Sequence, residues 1–488
     1  MVFSSIVFLC VFLPIMIIGY YILPKKCRNI FLLIGSLFFY AWGEPKYIFL
    51  MLASIIGNYS FGMLIHHFAV SENNEKSLIH KKIALIITII FNLGLLVYFK
   101  YFVLIMTTIR DAFGSNITVP EIALPIGISF FTFQGMSYVI DVYREDGKHN
   151  ENGEVLSLVQ KNPINLALYI SMFPQLIAGP IVRYTDIKDY LSERTVNSDK
   201  FARGIERFIV GLAKKAILAN SIGEVADKIF TANVDYIGTS VAWIGAIFYT
   251  LQIYFDFSGY SDMAIGLGKM FGFEFNENFN YPYISKSITE FWRRWHISLS
   301  SWFRDYLYIP LGGNRKGNVY FNLFVVFLAT GIWHGAAWGY LIWGLWHGLF
   351  MLIERAFRKK EIKVPTFIKW IYTMLVVILG WVLFKLEDIT LAIPYIGTMF
   401  HIKKYEYTAF SPRFYLDNKT IFILIIAILA CIPWNELINK NVRLNAVKIA
   451  VSEPLQVIIK RVMLIVLLLL CFVFIINSTY NPFIYFRF

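Results

Sequence analysis

Apolar stretches of membrane-spanning length recur along almost the whole chain. A bilayer crossing needs about 20 predominantly apolar residues, and lipid offers no hydrogen-bond partner to a free backbone group, so each crossing has to be a helix. The sequence therefore predicts an all-α polytopic membrane protein with about 11–13 transmembrane helices, the shorter stretches forming re-entrant helices. The stretches lie roughly at 3–23, 29–43, 47–68, 83–107, 121–141, 163–183, 205–222, 238–268, 320–333, 338–354, 366–386, 389–400, 420–434 and 462–478.

Composition excludes the main alternatives to a membrane protein. Hydrophobic residues make up 57% of the 488 residues and charged residues 16%, whereas a soluble domain is about a quarter charged. The formal charge of +13 falls largely in short loops between apolar stretches, which is typical of membrane topology and not of nucleic-acid binding. Four separated cysteines without a CxxC pair indicate neither a disulfide framework nor a metal site.

The distribution of Lys and Arg predicts an orientation in the membrane. Basic clusters at 25–28, at 354–363 and at 460–461 are expected on the cytoplasmic side. This places the N-terminus outside, and it also leaves the tail after Ile476 outside. The basic loop at 402–419 argues against a uniform rule.

Two histidines lie within apolar segments. His334 stands in the sequence GIWHG at 331–335, where an ionisable side chain is costly and usually functional. Its near-neutral reference pKa suits a general base, but a neutral histidine hydrogen-bonded between helices fits equally well. His347 stands in a similar GLWHG at 344–348. If one helix ran through both, the two side chains would lie about 20 Å apart along it, so one would be catalytic and the other structural.

The block from 291 to 305 combines tryptophans with arginines. On a continuous helix its apolar side chains share one face, and its polar ones occupy the opposite face and a flank. That pattern favours an interfacial helix whose arginines bind phosphates of an acyl donor, with His296 directed towards the site. Anchoring to lipid headgroups is the alternative. The apolar face comprises Trp292, Trp295, Leu299, Trp302 and Phe303; the predicted donor-binding residues are Arg293, Arg294 and Arg304.

Motifs of other enzyme classes are missing from the sequence. It contains no HExxH, no GxxxxGK[ST] and no GxSxG. A metalloprotease, an ATP-driven pump and a serine hydrolase each lose their main support. We expect neither a bound cofactor nor a metal.

Several longer motifs together make the chain resemble the membrane-bound O-acyltransferase family, in its branch of bacterial alginate and polysaccharide O-acetylation proteins. In that family the catalytic histidine lies in a Trp-His-Gly motif after the tryptophan-arginine block. His334 and His347 both stand in such a motif, and the order and spacing of the surrounding blocks favour His334. A second position, histidine or asparagine, matches His296. The resemblance also implies a ring of tilted helices around a central tunnel. The motifs are MVFSS at 1–5, FPQLIAGPI at 173–181, FDFSGYSD at 255–262, NENFNYP at 276–282, EFWRRWH at 290–296, WFRDY at 302–306 and PLGGNR at 310–315.

The function implied is transfer of an acyl group across a bacterial inner membrane by a multi-pass enzyme. The donor would be acetyl-CoA or another cytoplasmic thioester, including an acyl carrier protein. A separate extracytoplasmic transferase of the SGNH type would acylate an extracellular polysaccharide. Besides these partners, we expect contact with membrane lipid and none with nucleic acid. The alternatives are D-alanyl transfer to teichoic acids and a transporter or channel without enzymatic activity.

The C-terminal tail carries a further candidate residue. We expect a catalytic membrane domain at 1–478 and an extracytoplasmic aromatic tail at 479–488, which ends in FIYFRF. The D-alanyl branch works with a small peptide of similar ending, and a phenol ester keeps useful transfer potential between a thioester and an alkyl ester. Tyr485 is therefore predicted to carry the acyl group. An aromatic belt at the outer interface is the alternative.

Overall fold

The regular structure of the computed structural model is helical, as the sequence predicts. It describes residues 1–71, 75–114, 116, 118–148, 156–357, 364–402, 410–434, 436–437 and 453–484, and these residues contain no β-strand. The α-helices are α1 Leu13–Ile22, α2 Arg28–Gly43, α3 Ile48–Val70, α4 Glu75–Leu96, α5 Phe102–Phe113, α6 Ile128–Glu145, α7 Pro163–Ser171, α8 Phe173–Leu176, α9 Tyr184–Ser192, α10 Ser198–Ala213, α11 Asn220–Phe230, α12 Thr239–Met270, α13 Ile288–Arg294, α14 Ile297–Phe303, α15 Val319–His334, α16 Trp338–Phe357, α17 Thr366–Leu386, α18 Ile389–Met399, α19 Pro412–Tyr415, α20 Asn418–Ala430 and α21 Glu453–Asn477.

Four apolar helical segments in the described part of the chain are long enough to cross a membrane. They span Ile48–Val70, Glu75–Phe113, Thr366–Leu386 and Leu455–Asn477. The last has a mean hydropathy of 2.8 over its most apolar stretch, yet only 6% of that stretch is buried. Exposed apolar side chains all around a helix suit a hydrocarbon environment and would be unfavourable in water.

Other predicted crossings form shorter or broken helices. The apolar stretch predicted at 163–183 is interrupted at Met172, which separates α7 from the single turn of α8. Apolar helices of 10–17 residues include Phe8–Ile22, Val319–His334, Ile389–Met399 and Asn418–Ala430. These lengths fit the expectation that some apolar stretches do not span the bilayer, and the predicted total of 11–13 crossings remains a prediction.

The chain divides into two compact units. Of the described residues, the first comprises those in 1–205 and 264–276, and the second comprises those in 206–263 and 277–484. In the first unit, Asn58 of α3 and Asn92 of α4 exchange side-chain hydrogen bonds of 3.1 and 2.9 Å. Both are fully buried. Such a pair fixes the register of two helices, because sliding either one would leave a buried amide without a partner.

In the second unit, α15 and α16 cross at very short distance. A Cβ atom added at Gly331 would lie 2.6 Å from the backbone oxygen of Tyr340, and one added at Gly344 would lie 2.5 Å from that of Phe327. Only glycine allows two helix backbones to approach so closely. This crossing brings the end of α15, where His334 lies, against the first turns of α16.

Candidate active site

His334 is the last residue of α15 and is almost fully buried, with 1% of its surface exposed. The helix stops there because Gly335 has extended backbone, with φ −170° and ψ 162°. A side chain at Gly335 would collide with the ring of Tyr340. The glycine of the Trp-His-Gly motif is thus needed for packing, and it ends the helix at the candidate base.

The two Trp-His-Gly histidines lie on different helices and contact one indole ring. The helix is interrupted between α15 and α16, so the single continuous helix considered for His334 and His347 does not exist. The Trp343 ring lies 4.8 Å from that of His334 and 5.2 Å from that of His347, centroid to centroid. The separation of about 20 Å that a continuous helix would impose is therefore wrong.

His347 lies in an aromatic cage with no exposed surface. Its ring centroid is 5.3 Å from that of Trp292 and 6.1 Å from that of Phe291. Among the described residues, neither ring nitrogen has a hydrogen-bond partner. A Cβ atom at Gly380 would lie 2.8 Å from its Nε2. The cage is mainly a packing environment, which agrees with a structural role for His347.

A network of polar side chains holds His296 in place. Its Nδ1 lies 3.1 Å from Oδ1 of Asn278, an oxygen that also accepts bonds from the backbone N–H and the hydroxyl of Ser298. The Asn278 amide nitrogen donates to Ser261 at 3.0 Å. Because the Asn278 oxygen is an acceptor, Nδ1 of His296 carries the proton and Nε2 is left with a free lone pair.

The environment of His296 keeps its ring neutral. The residue has no exposed surface, and burial lowers the pKa of His296 to about 3. Among the described residues Nε2 has no hydrogen-bond partner. The Trp333 ring lies 6.0 Å from that of His296 and 5.0 Å from that of His334. Two candidate catalytic histidines therefore contact one tryptophan.

The tryptophan-arginine block is not one helix. It breaks between α13 and α14 at His296, whose φ of 44° is left-handed. Backbone bonds from Asn280 to Arg294 (2.9 Å) and from Ile297 to Asn278 (2.9 Å) fix the break. The five predicted apolar side chains are buried. Ser298 is buried as well, with 5% exposed, although an unbroken helix would place it on the polar face. The prediction of one continuous interfacial helix was wrong, because the helical wheel assumes an unbroken backbone.

A cavity of about 1250 Å³ lies against this block. Among the described residues, five cationic side chains line it, together with aromatic and aliphatic side chains. Arg293 and Arg304, two of the three predicted donor-binding residues, line it, and Arg304 also makes a two-pronged ion pair with Asp305 at 2.6 and 3.0 Å. The cationic lining residues are Lys286, Arg293, Arg304, Arg355 and Lys369.

Arg294 does not line the cavity. Its guanidinium binds Glu290 at 3.0 Å and the backbone oxygen of Asn280 at 3.1 Å. The structure therefore separates Arg294 from the other two predicted donor-binding arginines. Sequence reasoning missed Lys286, Arg355 and Lys369 as cavity residues. The basic segment 354–363 was the available signal for Arg355, which the structure places in the last turn of α16.

Glu354 of α16 binds the N-terminus of α13 and so connects the two helices. Its carboxylate accepts from the backbone N–H groups of Ile288 and Thr289, at 2.5 and 3.0 Å, and from the Thr289 hydroxyl at 2.7 Å. A carboxylate at the N-terminus of a helix binds its free N–H groups and opposes its dipole. α13 is thereby held in place at the cavity.

The cavity wall leads to the histidines. Trp292 lines the cavity, and its ring also lies 5.7 Å from that of Trp343. Thr330, another lining residue, is one helical turn before His334 on α15. Tyr485 lies outside the described residues, so its predicted role in carrying the acyl group remains a prediction.

The comparisons with known proteins identify the family. The model of the membrane-bound O-acyltransferase family matches residues 39–392. The chain belongs to this family. It is similar along its entire length to a probable alginate O-acetylase of Pseudomonas putida, with 41% identity and full coverage of both chains. The membrane-bound O-acyltransferase assignment makes this chain an O-acetyltransferase of the membrane.

Of three further similar proteins, two are named for polymers other than alginate. A probable alginate O-acetylase of Azotobacter vinelandii is 45% identical over 82% of this chain and 78% of its own. A peptidoglycan O-acetyltransferase of Helicobacter pylori is 36% identical over 80% of this chain and 78% of its own. A teichoic acid D-alanyltransferase of Bacillus subtilis is 34% identical over 48% of this chain and 60% of its own.

Proposed function

We propose that this membrane O-acetyltransferase takes an acetyl group from a cytoplasmic thioester and delivers it for O-acetylation of an extracellular polysaccharide. The observation that carries the donor side is the cavity of about 1250 Å³ next to the histidine site, which five cationic side chains of the described residues line. Acetyl-CoA carries phosphates that such side chains bind through charge-assisted hydrogen bonds. The phosphopantetheine of an acyl carrier protein carries the same thioester and a single phosphate.

The proposed chemistry gives the two histidines different roles. His334 acts as the general base that removes a proton from the accepting hydroxyl. The hydroxyl oxygen bonds to the thioester carbonyl carbon, the carbon–sulfur bond breaks, and the proton passes to the leaving thiolate. Neutral His296, with its Nε2 lone pair, accepts a hydrogen bond from the hydroxyl and so orients it.

Tyr485 is proposed as the first acceptor. Its phenol ester keeps enough transfer potential for a second step to an alkyl hydroxyl, carried out by a separate extracytoplasmic transferase of the SGNH type. This requires the segment 479–488 to lie on the outer side of a bacterial inner membrane, after the membrane domain at 1–478. α21 ends at Asn477, which agrees with that division of the chain.

Two alternative functions are distinguishable. D-alanyl transfer is supported by a relative that is similar over only half of this chain, whereas O-acetylating relatives match most or all of it. A transporter would not form an acyl-protein and would tolerate loss of a base at His334.

The test is single-turnover labelling. Purified protein in detergent is mixed with acetyl-CoA labelled in the acetyl group, and protein-bound label is quantified. We expect label on the parent chain, and a loss of at least about 100-fold for His334→Ala, within the range of general-base contributions. Tyr485→Phe should remove the label while releasing no free CoA thiol. Label retained by His334→Ala in folded protein would contradict the base, and label retained by Tyr485→Phe would contradict the acceptor.

A further inference from the structure

An almost fully buried ion pair in the second unit holds the segment that follows α21. Lys215 and Asp256 are 2.7 Å apart, with side-chain exposures of 3% and 2%. Asp256 also accepts the backbone N–H of Ile484 at 2.9 Å, and Lys215 donates to the backbone oxygen of Pro482. Desolvating two charges is costly unless their remaining hydrogen-bonding groups are satisfied. Here the tail backbone supplies partners to both.

Further contacts hold the tail residues 480–484 in place. The Phe483 side chain is buried, and its ring lies 4.5 Å from that of Tyr260 on α12. The hydroxyl of Tyr480 donates to Asp227, and the amide of Asn220 donates to Asn481 at 3.2 Å. The tail is anchored through both backbone and side chains as far as its last described residue.

The helix stretch that grips the tail also contacts His296. Asp256 and Tyr260 of α12 bind the tail, and the residues that follow each of them reach the histidine. The Phe257 ring lies 4.6 Å from that of His296, and Ser261 accepts from Asn278, the hydrogen-bond partner of His296. The FDFSGYSD motif at 255–262 therefore joins the tail to the candidate site over two turns of one helix.

We propose that Lys215 and Asp256 are positioning residues that fix the C-terminal tail beside the His296 helix contact, so that Tyr485 is presented from a fixed point. The inference rests on the proposed acceptor role of Tyr485. The Lys215–Asp256 pair is called the bracket below. Because it binds backbone groups of the tail, its hold does not depend on the side chains at 482 and 484. Tyr485 follows its anchor at Ile484 by one residue, about 3.5 Å of extended chain, which limits its reach to that step and its own side chain.

An anchored tail changes how the second transfer proceeds. A tail that swings freely would carry the acetyl group outward to a partner. A tail bound at Ile484 keeps the phenol ester at the enzyme, so the partner transferase has to bind over the tail, or the bracket has to open.

The first experiment measures whether the bracket holds the tail. In a chain whose cysteines at 10, 27, 431 and 471 are replaced by alanine, Ile484→Cys keeps the backbone N–H and supplies one thiol. N-ethylmaleimide labelling of the purified full chain is compared with and without Lys215→Met/Asp256→Leu, an apolar replacement that buried pairs often tolerate. We expect labelling at least tenfold faster without the pair. Equal rates in folded protein would overturn the proposal.

The matched control removes another Lys–carboxylate pair from the same unit. Lys228 and Glu224 form an exposed pair at 2.9 Å on α11, with side-chain exposures of 61% and 50%. Lys228→Met/Glu224→Gln should leave the labelling rate and the acetylation rate unchanged. Acceleration by this control as well would mean that labelling reports general loosening, and the proposal would fail.

A second variant addresses the case in which the double variant does not fold. Ile484→Pro removes the N–H that donates to Asp256 and fixes φ at this residue, whereas Ile484→Ala keeps the N–H. Provided that Tyr485→Phe abolishes transfer, we expect acetylation at least tenfold slower for the proline variant than for the alanine variant, at equal Tm. Equal rates would overturn the bracket. If Tyr485→Phe stays active while bracket removal still accelerates labelling, the acceptor role fails and the bracket stands.

Discussion

The crossing of α15 and α16 gives a prediction whose size follows from the structure. A methyl group at Gly344 would lie 2.5 Å from the backbone oxygen of Phe327 and 2.9 Å from Cα of Gly331. Ordinary contacts of a Cβ atom begin at 3.4 Å, so Gly344→Ala has to separate the two backbones by about 0.9 Å. Overpacking of this kind costs about 1–3 kcal/mol. The larger effect falls on catalysis.

Both sides of this crossing carry residues of the site. His334 follows Gly331 by three residues on α15, and Trp343, whose ring contacts His334, precedes Gly344 on α16. Misplacing reacting groups by about 1 Å costs on the order of 100-fold in rate. We therefore expect Gly344→Ala to lower kcat by about 10–100-fold while the protein stays folded.

The assay is release of free CoA thiol by detergent-purified protein, with thermal unfolding measured in parallel. Gly94→Ala is the matched control, because a Cβ atom there meets nothing within 4 Å. This variant should keep its kcat, and alanine is the better helix former. If Gly344→Ala turned over at the parent rate, the crossing would not determine the position of His334, and the reasoning would be refuted.

Three further predictions concern single side chains. Arg293→Ala should raise the donor KM at least threefold and more at low salt, whereas Arg294→Ala, which lies outside the cavity, should leave KM unchanged; steady-state kinetics at two salt concentrations check both. His296→Asn should lower kcat about tenfold without moving the acid limb of the pH–rate profile, because the depressed pKa keeps the parent ring neutral across the assay range; a limb shifted by a full pH unit would contradict this. His347→Ala should destabilise the protein by about 2–4 kcal/mol through a cavity in its aromatic cage, seen as a lower Tm.

The helical architecture was predictable because lipid leaves the chain few alternatives. Apolar periodicity and length predict where helices form, and the exposed apolar surface of α21 agrees with that expectation. Where a helix breaks was less predictable. Met172 and His296 interrupt stretches whose composition is uniformly apolar or amphipathic, and the breaks are fixed by distant partners such as Asn278.

The candidate site was predictable in part. The sequence indicated the histidines and two of the cavity arginines, because charged and ionisable side chains in apolar surroundings are conspicuous. It did not indicate Lys369, which is separated from Arg293 and Arg304 by tens of residues and joins them only through packing, nor Lys286, which lies before the start of α13. Nor did it indicate that Lys215 and Asp256 pair, since they lie in two separate apolar stretches whose packing against each other the sequence does not give.

The left-handed backbone at His296 restricts which residues evolution can place there. A φ of 44° is strained for most side chains, and histidine, asparagine, aspartate and glycine are the residues that adopt it most readily. Of these, histidine and asparagine are neutral and carry a polar group long enough to reach across a buried space. Histidine and asparagine therefore both satisfy the backbone at this position, before any requirement of the chemistry is considered. A glutamine, chemically close to asparagine, would be a poor replacement for a conformational reason alone.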